Sequence, residues 1–374
     1  MLPLYKTILM KEEEKDNDII LPDSPDAIAN ADSVEIGCMT RKRVLIVGAG
    51  GFVGGYLVEE GLRRGYEVWA GIRSTTSRRR LADPRIKIVE FDFDTPASLA
   101  RTLRDVLPEG RWDYIVYNLG ATKVTRYADF NHINYDYLRA FTGALHQSCK
   151  VPEKLLFISS LSVLGPQGER SYAPYQEEMI PHPNTRYGAS KLKAELWLAT
   201  AGIPYVIFRA TGIYGPWDKD YFLMLESIRK GVDFGVGYRK QMLTFIYAAD
   251  LADAVYEALE KAPAGETYHI SEPAAYSQKD FRKLVMRLLG KRFVLPVRLP
   301  LWAVKAVCAV SEKIGVLRMK PATLNRDKFR IMKQRNWNCS TLKAKEDFGF
   351  EASTTLAEGL EKSIDWYRKE GWLK

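Results

Sequence analysis

Tyr187 and Lys191 stand four residues apart in Tyr187-Gly188-Ala189-Ser190-Lys191, so a helix carries both on one face. A phenol with a pKa near 10 is a poor proton carrier at neutral pH, and an ammonium a few ångströms away favours phenolate and lowers that pKa. The pair then suits proton exchange with an alcohol or carbonyl oxygen. Alone, a Tyr and a Lys at this spacing are ordinary surface residues. Their reading changes because of a glycine turn far upstream.

That turn is Gly48-Ala49-Gly50-Gly51-Phe52-Val53-Gly54, which follows the apolar run Val44 to Val47 and opens a helical stretch. Gly48, Gly51 and Gly54 allow a tight turn, close approach of backbone to a pyrophosphate, and packing of helix on strand. Phe52 and Val53 begin the helix whose positive end receives the phosphates. Strand before and helix after are the context that makes the pattern a dinucleotide site. With a nicotinamide bound there, Tyr187 would move the proton while hydride moves at the ring. About 20 residues on, where an acid usually meets the ribose 2′-hydroxyl, the chain has Arg73 and Ser74, with Arg78, Arg79 and Arg80 further along. A guanidinium and a hydroxyl suit a 2′-phosphate, so NADP is preferred and NAD is the alternative.

The elements that must position these groups alternate. Apolar runs recur at residues 67–70, 86–90, 114–117, 155–158 and 205–208. Helical stretches lie between them at 53–64, 96–107 and 134–148. This spacing implies βαβ units. The fold class is α/β: a Rossmann-type doubly wound parallel sheet with a smaller C-terminal substrate-binding region. The dinucleotide domain is expected over 41–215, with 242–272 returning to it, and the substrate-binding region over 216–374. Residues 1–40 are expected to be a flexible extension without a secretory signal, and translation can begin at Met1 or Met39.

Composition excludes several classes. The formal net charge of the 374 residues is +9, but the basic residues are scattered, which argues against nucleic acid and for a small-molecule substrate. Cys38, Cys149, Cys308 and Cys339 lie far apart, so neither a metal site nor disulfides are expected, and reduced thiols point to the cytoplasm.

These motifs, in order from about residue 42 to the C-terminus, resemble the extended short-chain dehydrogenase/reductase family. That group contains sugar-nucleotide epimerases and dehydratases, dihydroflavonol reductases and 3β-hydroxysteroid dehydrogenases. The resemblance implies further roles. Asp92 and Phe93 would contact adenine. Asn118, Leu119, Gly120 and Ala121 would form the cofactor loop after the fourth strand, with Lys123 and Asn134 beyond it. Ser160, the second serine of Ser159-Ser160-Leu161-Ser162-Val163, would be the catalytic hydroxyl beside Tyr187 and Lys191. Ile213 lies in the segment near the nicotinamide, Asp250 would cap a helix, and a homodimer through helix pairs is implied.

Two departures bear on the substrate. Sugar-nucleotide enzymes carry an Asn four positions before the Pro of Tyr214-Gly215-Pro216, and an Arg-Asp pair where this chain has Leu243-Thr244. Gly212 stands in place of the Asn. Losing an Asn and an Arg removes donors that a diphosphate needs, although Arg239 and Lys240 are near enough in sequence to substitute. The apolar stretch 299–310 reads as a lid helix packed on the enzyme, ahead of contact with a membrane surface, and is too short to span one. An oxidoreductase for a secondary alcohol or ketone of an apolar or mixed substrate leads. A sugar-nucleotide epimerase or dehydratase with tightly held NAD follows, and a non-catalytic dinucleotide-binding protein comes last.

Overall fold

The first strand, β1 (Arg43–Val47), buries both faces, and its alternation serves two cores at once. Val44 and Ile46 join Leu57, Val58 and Val255 on one side, while Leu45 and Val47 join Leu99, Phe141 and Leu198 on the other. A strand covered twice has no polar face, which is why the sequence shows an unbroken apolar run. The structure, a computed structural model, describes residues 41–373 except Pro321 and Thr323. The expectations for residues 1–40 and for Met39 lie outside the described residues.

After β1 come α1 (Phe52–Arg63), β2 (Glu67–Ile72), β3 (Lys87–Glu90), α2 (Pro96–Val106) and β4 (Tyr114–Tyr117). A helical stretch follows, made of α3 (Ala128–Asn131), a π turn (His132–Asp136) and α4 (Tyr137–Gln147). Next are β5 (Lys154–Ser160), α5 (Arg186–Leu198), β6 (Tyr205–Ala210), β7 (Gly212–Tyr214), α6 (Asp220–Arg229) and β8 (Val232–Val236). Then come β9 (Met242–Leu243), β10 (Phe245–Tyr247), α7 (Ala248–Lys261), β11 (Glu266–Ile270), β12 (Tyr276–Ser277), α8 (Gln278–Leu288) and β13 (Leu295–Leu299). The chain ends with α9 (Leu301–Leu317), α10 (Arg326–Lys333), α11 (Leu342–Phe348) and α12 (Leu356–Lys369).

Seven strands form one sheet in the order β11-β6-β5-β4-β1-β2-β3, and every pairing in it is parallel. Strand order reverses between β1 and β4, which opens the crevice where such sheets bind ligands. From the stretch 242–272, α7 packs on α1's side of the sheet and β11 joins β6. β9 and β10 pair instead with β12 and β7, outside the main sheet. A third core gathers Tyr214, Leu225, Phe245, Phe281, Leu360 and Tyr367 from the C-terminal half.

Asp250 does not cap α7 as expected. Tyr247 is the N-cap, and Asp250, one turn inside, accepts hydrogen bonds from Thr354 N (2.7 Å), Thr354 Oγ1 (2.9 Å) and Ser353 Oγ (3.1 Å). The carboxylate is buried, and those three donors tie the segment before α12 to the body.

Candidate active site

A cleft of about 500 Å³ opens along the carboxyl ends of the strands at the reversal point. Eleven residues expected at the cofactor line it: Gly48, Gly51, Phe52, Val53, Arg73, Phe93, Leu119, Gly120, Tyr187, Lys191 and Ile213. Asn118 of the expected loop lines it too, as do Thr75, Thr76 and Thr122, which sequence reasoning missed. A shallower depression bounded by Arg104, Arg111, Cys149 and Lys150 lies in the loops before β4 and β5. That is the amino end of the sheet, and it takes no part in this site.

The three glycines serve three purposes. Gly48 has φ +90°, and a Cβ there would stand 2.9 Å from Leu119 N. At Gly54 a Cβ would collide with the carbonyl oxygens of Gly48 and Ala49, so its role is to let α1 approach β1. A Cβ at Gly51 would meet nothing closer than Gly48 O at 3.4 Å. Gly51 is also the N-cap of α1 and brings no side-chain acceptor. The first N–H groups of the helix therefore face open space, a cradle that fits a pyrophosphate.

Arg73 reaches the cleft and makes no ion pair among the described residues, whereas Ser74 does not line it. The neighbouring cluster is consumed. Arg78 pairs with Glu90, Arg79 with Glu370 at 3.0 Å, and Arg80 with Glu59 at 2.7 Å and Phe52 O at 2.8 Å. Asp92 lies outside the cleft and accepts from Asp94 N at 3.0 Å, a local turn. Lys123 is also outside it, in an ion pair with Asp220.

Lys191 is buried, with Nζ donating to Ile158 O at 2.9 Å above the Phe157 ring. A Cβ at Gly120 would stand 2.9 Å from that nitrogen, so any larger residue there would displace the ammonium. Burial lowers the Lys191 pKa to about 8, against a smaller opposing effect of Glu195. Tyr187 is pushed up by burial, with a hydrogen bond to Ser160 opposing. The phenol is thus set against Ser160 as the sequence implies. The depression expected from Lys191 is not its state here: desolvation outweighs the Ser160 hydrogen bond, and Lys191 contributes no resolved effect.

Strand alternation separates the two serines. Ser159 lines the cleft but donates its hydroxyl to Glu195, which pairs with Arg209 at 2.8 Å. Ser160 turns to Tyr187 and accepts from Ser162 N at 3.2 Å. Asn134 sits in the π turn, fully buried. It accepts from Ala121 N (2.7 Å) and donates to Ala121 O (3.1 Å) and Ser190 Oγ (2.9 Å). It clamps the loop after β4 to α5 rather than lining the cleft.

The start of α5 is held from a distance. Thr185 caps Gly188 N at 2.9 Å. The two oxygens of buried Asp327, from α10, accept from Arg186 N at 2.9 Å and Tyr187 N at 3.0 Å. No spacing rule in the sequence pointed to Asp327.

Comparison with known proteins fits this geometry. A ceramide reductase of Caulobacter vibrioides is 23% identical over 335 residues, which cover 89% of this chain and 96% of that one. A dTDP-glucose 4,6-dehydratase of Xanthomonas campestris is 23% identical over 353 residues, covering 88% and 94%. The structure of a dTDP-glucose 4,6-dehydratase of Streptomyces venezuelae with NAD superposes with a TM-score of 0.70 at 21% identity, covering 89% of this chain and 99% of that one. A UDP-glucose 4-epimerase of Thermotoga maritima gives 0.69 at 19%, covering 88% and 99%. Both show the shared fold. Residues 44–271, more than half of the chain, match a single family description, and with the glycine cradle and the Ser160, Tyr187 and Lys191 cluster this makes the chain an enzyme of the NAD dependent epimerase/dehydratase family.

Proposed function

We propose that the enzyme is an NADP-linked oxidoreductase that interconverts a ketone and a secondary alcohol on an apolar or mixed small molecule. The observation that carries the substrate class is at Gly212. A Cβ there would fall on the hydroxyl of Tyr221, whose half-buried side chain occupies the space an Asn would need. Leu243, at the position of the missing Arg, pairs with Tyr276 and packs on the C-terminal core. Arg239 and Lys240 are exposed. The donors a sugar diphosphate requires are absent from both places, which supports an apolar substrate.

A bound nicotinamide would supply or accept the hydride. Ser160 Oγ holds the substrate oxygen, and Tyr187 Oη transfers the proton to or from it. Burial keeps the phenol protonated at neutral pH, which suits proton donation to a carbonyl and favours the reductive direction. The Lys191 ammonium would bind the ribose of a bound nicotinamide dinucleotide and would stabilise Tyr187 when it has given up its proton. Arg73, unpaired at the end of β2, supports the choice of NADP. We further place the enzyme in the cytoplasm, as a homodimer.

The second reading is a sugar-nucleotide epimerase or dehydratase, favoured by the names of the dehydratase and epimerase relatives. Absorbance and mass analysis of the purified protein separate the two. The proposal expects no retained cofactor and tighter binding of NADPH than NADH. Retained NAD, with binding of a nucleoside diphosphate sugar, would overturn it.

A further inference from the structure

The helix α9 is apolar on both sides. Val304 and Cys308 face inward and are buried. On the outer side, Trp302 is 75% exposed, Val310 58% and Leu317 83%, with Val307 and Ile314 exposed between them. At about 100° per residue these five fall within one arc of the helix surface. An apolar stripe broken only by Lys313, along a helix of about 25 Å, is an interaction surface rather than a lid face.

The charge around the stripe identifies what it meets. Lys305, Lys313, Arg318 and Lys320 are exposed along this segment, and none forms an ion pair among the described residues. Its one acid, Glu312, is consumed inside the protein, where it accepts from Tyr127 Oη (2.5 Å) and Arg326 N (2.9 Å). An exposed apolar arc with Trp at one end, Lys313 within it, Lys305 and Arg318 beside its edges and no free anion is the pattern of a helix lying in a membrane interface. We propose that α9 docks the enzyme on an anionic phospholipid surface, lying flat and not crossing it. Among the described residues no helix is long and apolar enough to cross a membrane.

The inner side of α9 leads to the chemistry. Tyr127, which Glu312 holds, carries the Arg186 guanidinium over its ring at 3.9 Å. Arg186 and Tyr187 are the residues whose N–H groups Asp327 holds, and Phe130 packs on the Tyr187 ring. A bilayer under α9 would thus lie beside the first turn of the catalytic helix. For this route of substrate entry the proposal rests on the apolar-substrate reading above; the docking itself requires no turnover.

Flotation of the full chain with vesicles tests it. The probes are phosphatidylcholine alone and phosphatidylcholine doped with phosphatidylglycerol, at low and high salt. The wild type is expected to float with the doped vesicles and to be released by salt. The double variant Trp302→Glu/Val310→Glu should stay at the bottom while keeping its melting temperature and dinucleotide affinity. Lys305→Glu/Lys313→Glu should lower partition by roughly a hundredfold. Wild type that never floats overturns the proposal. So does a wild-type oligomer that the apolar double variant splits, which would assign the stripe to a second copy of the chain. Because flotation reads no catalysis, a failed docking leaves the oxidoreductase reading standing, and an inactive enzyme that floats does the reverse.

Discussion

Replacing Asp327 with Asn should slow turnover without weakening dinucleotide binding. Both carboxylate oxygens are used, on Arg186 N at 2.9 Å and Tyr187 N at 3.0 Å, and the residue is only 4% exposed. The amide of Asn keeps one acceptor, presents an NH₂ to the other N–H, and removes a negative charge from a helix N-terminus. A charge-assisted hydrogen bond contributes about 1.5–3 kcal/mol, and a favourable charge at a partly buried helix end up to ~2 kcal/mol. A loss of about 3 kcal/mol follows, or a fall of roughly 4 °C in Tm for a body of this size. Tyr187 is the second residue of α5, so release of its N–H shifts the phenol against Ser160. A misplacement of 1 Å costs about a hundredfold in rate. The lining glycines and Arg73 lie elsewhere, so NADPH titration should give an unchanged Kd. Thermal melts, kcat and Kd measured on one preparation decide it. A destabilised variant with full kcat would refute the idea that Asp327 positions Tyr187, as would an equal loss of Kd.

Other outcomes follow from the same geometry. Gly51→Ala should fold with wild-type Tm yet bind dinucleotide poorly, because its methyl enters the phosphate cradle; Gly54→Ala, which must push α1 off β1, should lose about 1–3 kcal/mol of stability in chemical denaturation. Arg73→Ala should weaken NADPH by about tenfold or more and leave NADH nearly unchanged in fluorescence titrations. Lys191→Met should abolish turnover yet raise stability near neutral pH, since a pKa lowered from 10.5 to about 8 corresponds to a buried charge costing about 3 kcal/mol. The folded protein sheds that proton before the unfolded chain does, so wild-type stability should rise between pH 8 and 10.5 and the advantage of the variant should vanish there. Glu272 works in the opposite sense. Burial raises it from 4.5 to about 7, so the folded state binds the extra proton and stability falls as pH climbs through that range. Glu272→Gln should flatten this slope in melts recorded across it.

How far the molecule was legible in its sequence depends on the distance over which each constraint acts. Strands covered on both faces read as unbroken apolar runs, and the glycine turn and the Tyr187/Lys191 pair are fixed by spacing within one element. Choosing Ser160 over Ser159 needed the family resemblance, and strand alternation supplies the physical reason. What failed to show was set by partners far along the chain. Arg78, Arg79 and Arg80 looked available for a phosphate because nothing local reveals that Glu90, Glu370 and Glu59 claim them. Asp250 looked like a cap because the residues that take its oxygens, Ser353 and Thr354, lie about a hundred positions away.

The same distinction explains why the chemistry was easier to read than the substrate. The cofactor half of the cleft comes from turns that immediately follow their strands, so residue type and position are tied together by short-range geometry. The catalytic helix is also held from far along the chain, by Glu312 of α9 on Tyr127 ahead of α3 and by Asp327 of α10 on the first turn of α5. Neither carboxylate carries a motif, since one acceptor serves as well as another wherever a buried donor must be met. An apolar substrate also asks for few specific polar groups, so its site leaves little trace in residue spacing. Gly212 was the exception: it marked a missing donor, and its meaning as a position filled by Tyr221 appears only when the two are brought together in space.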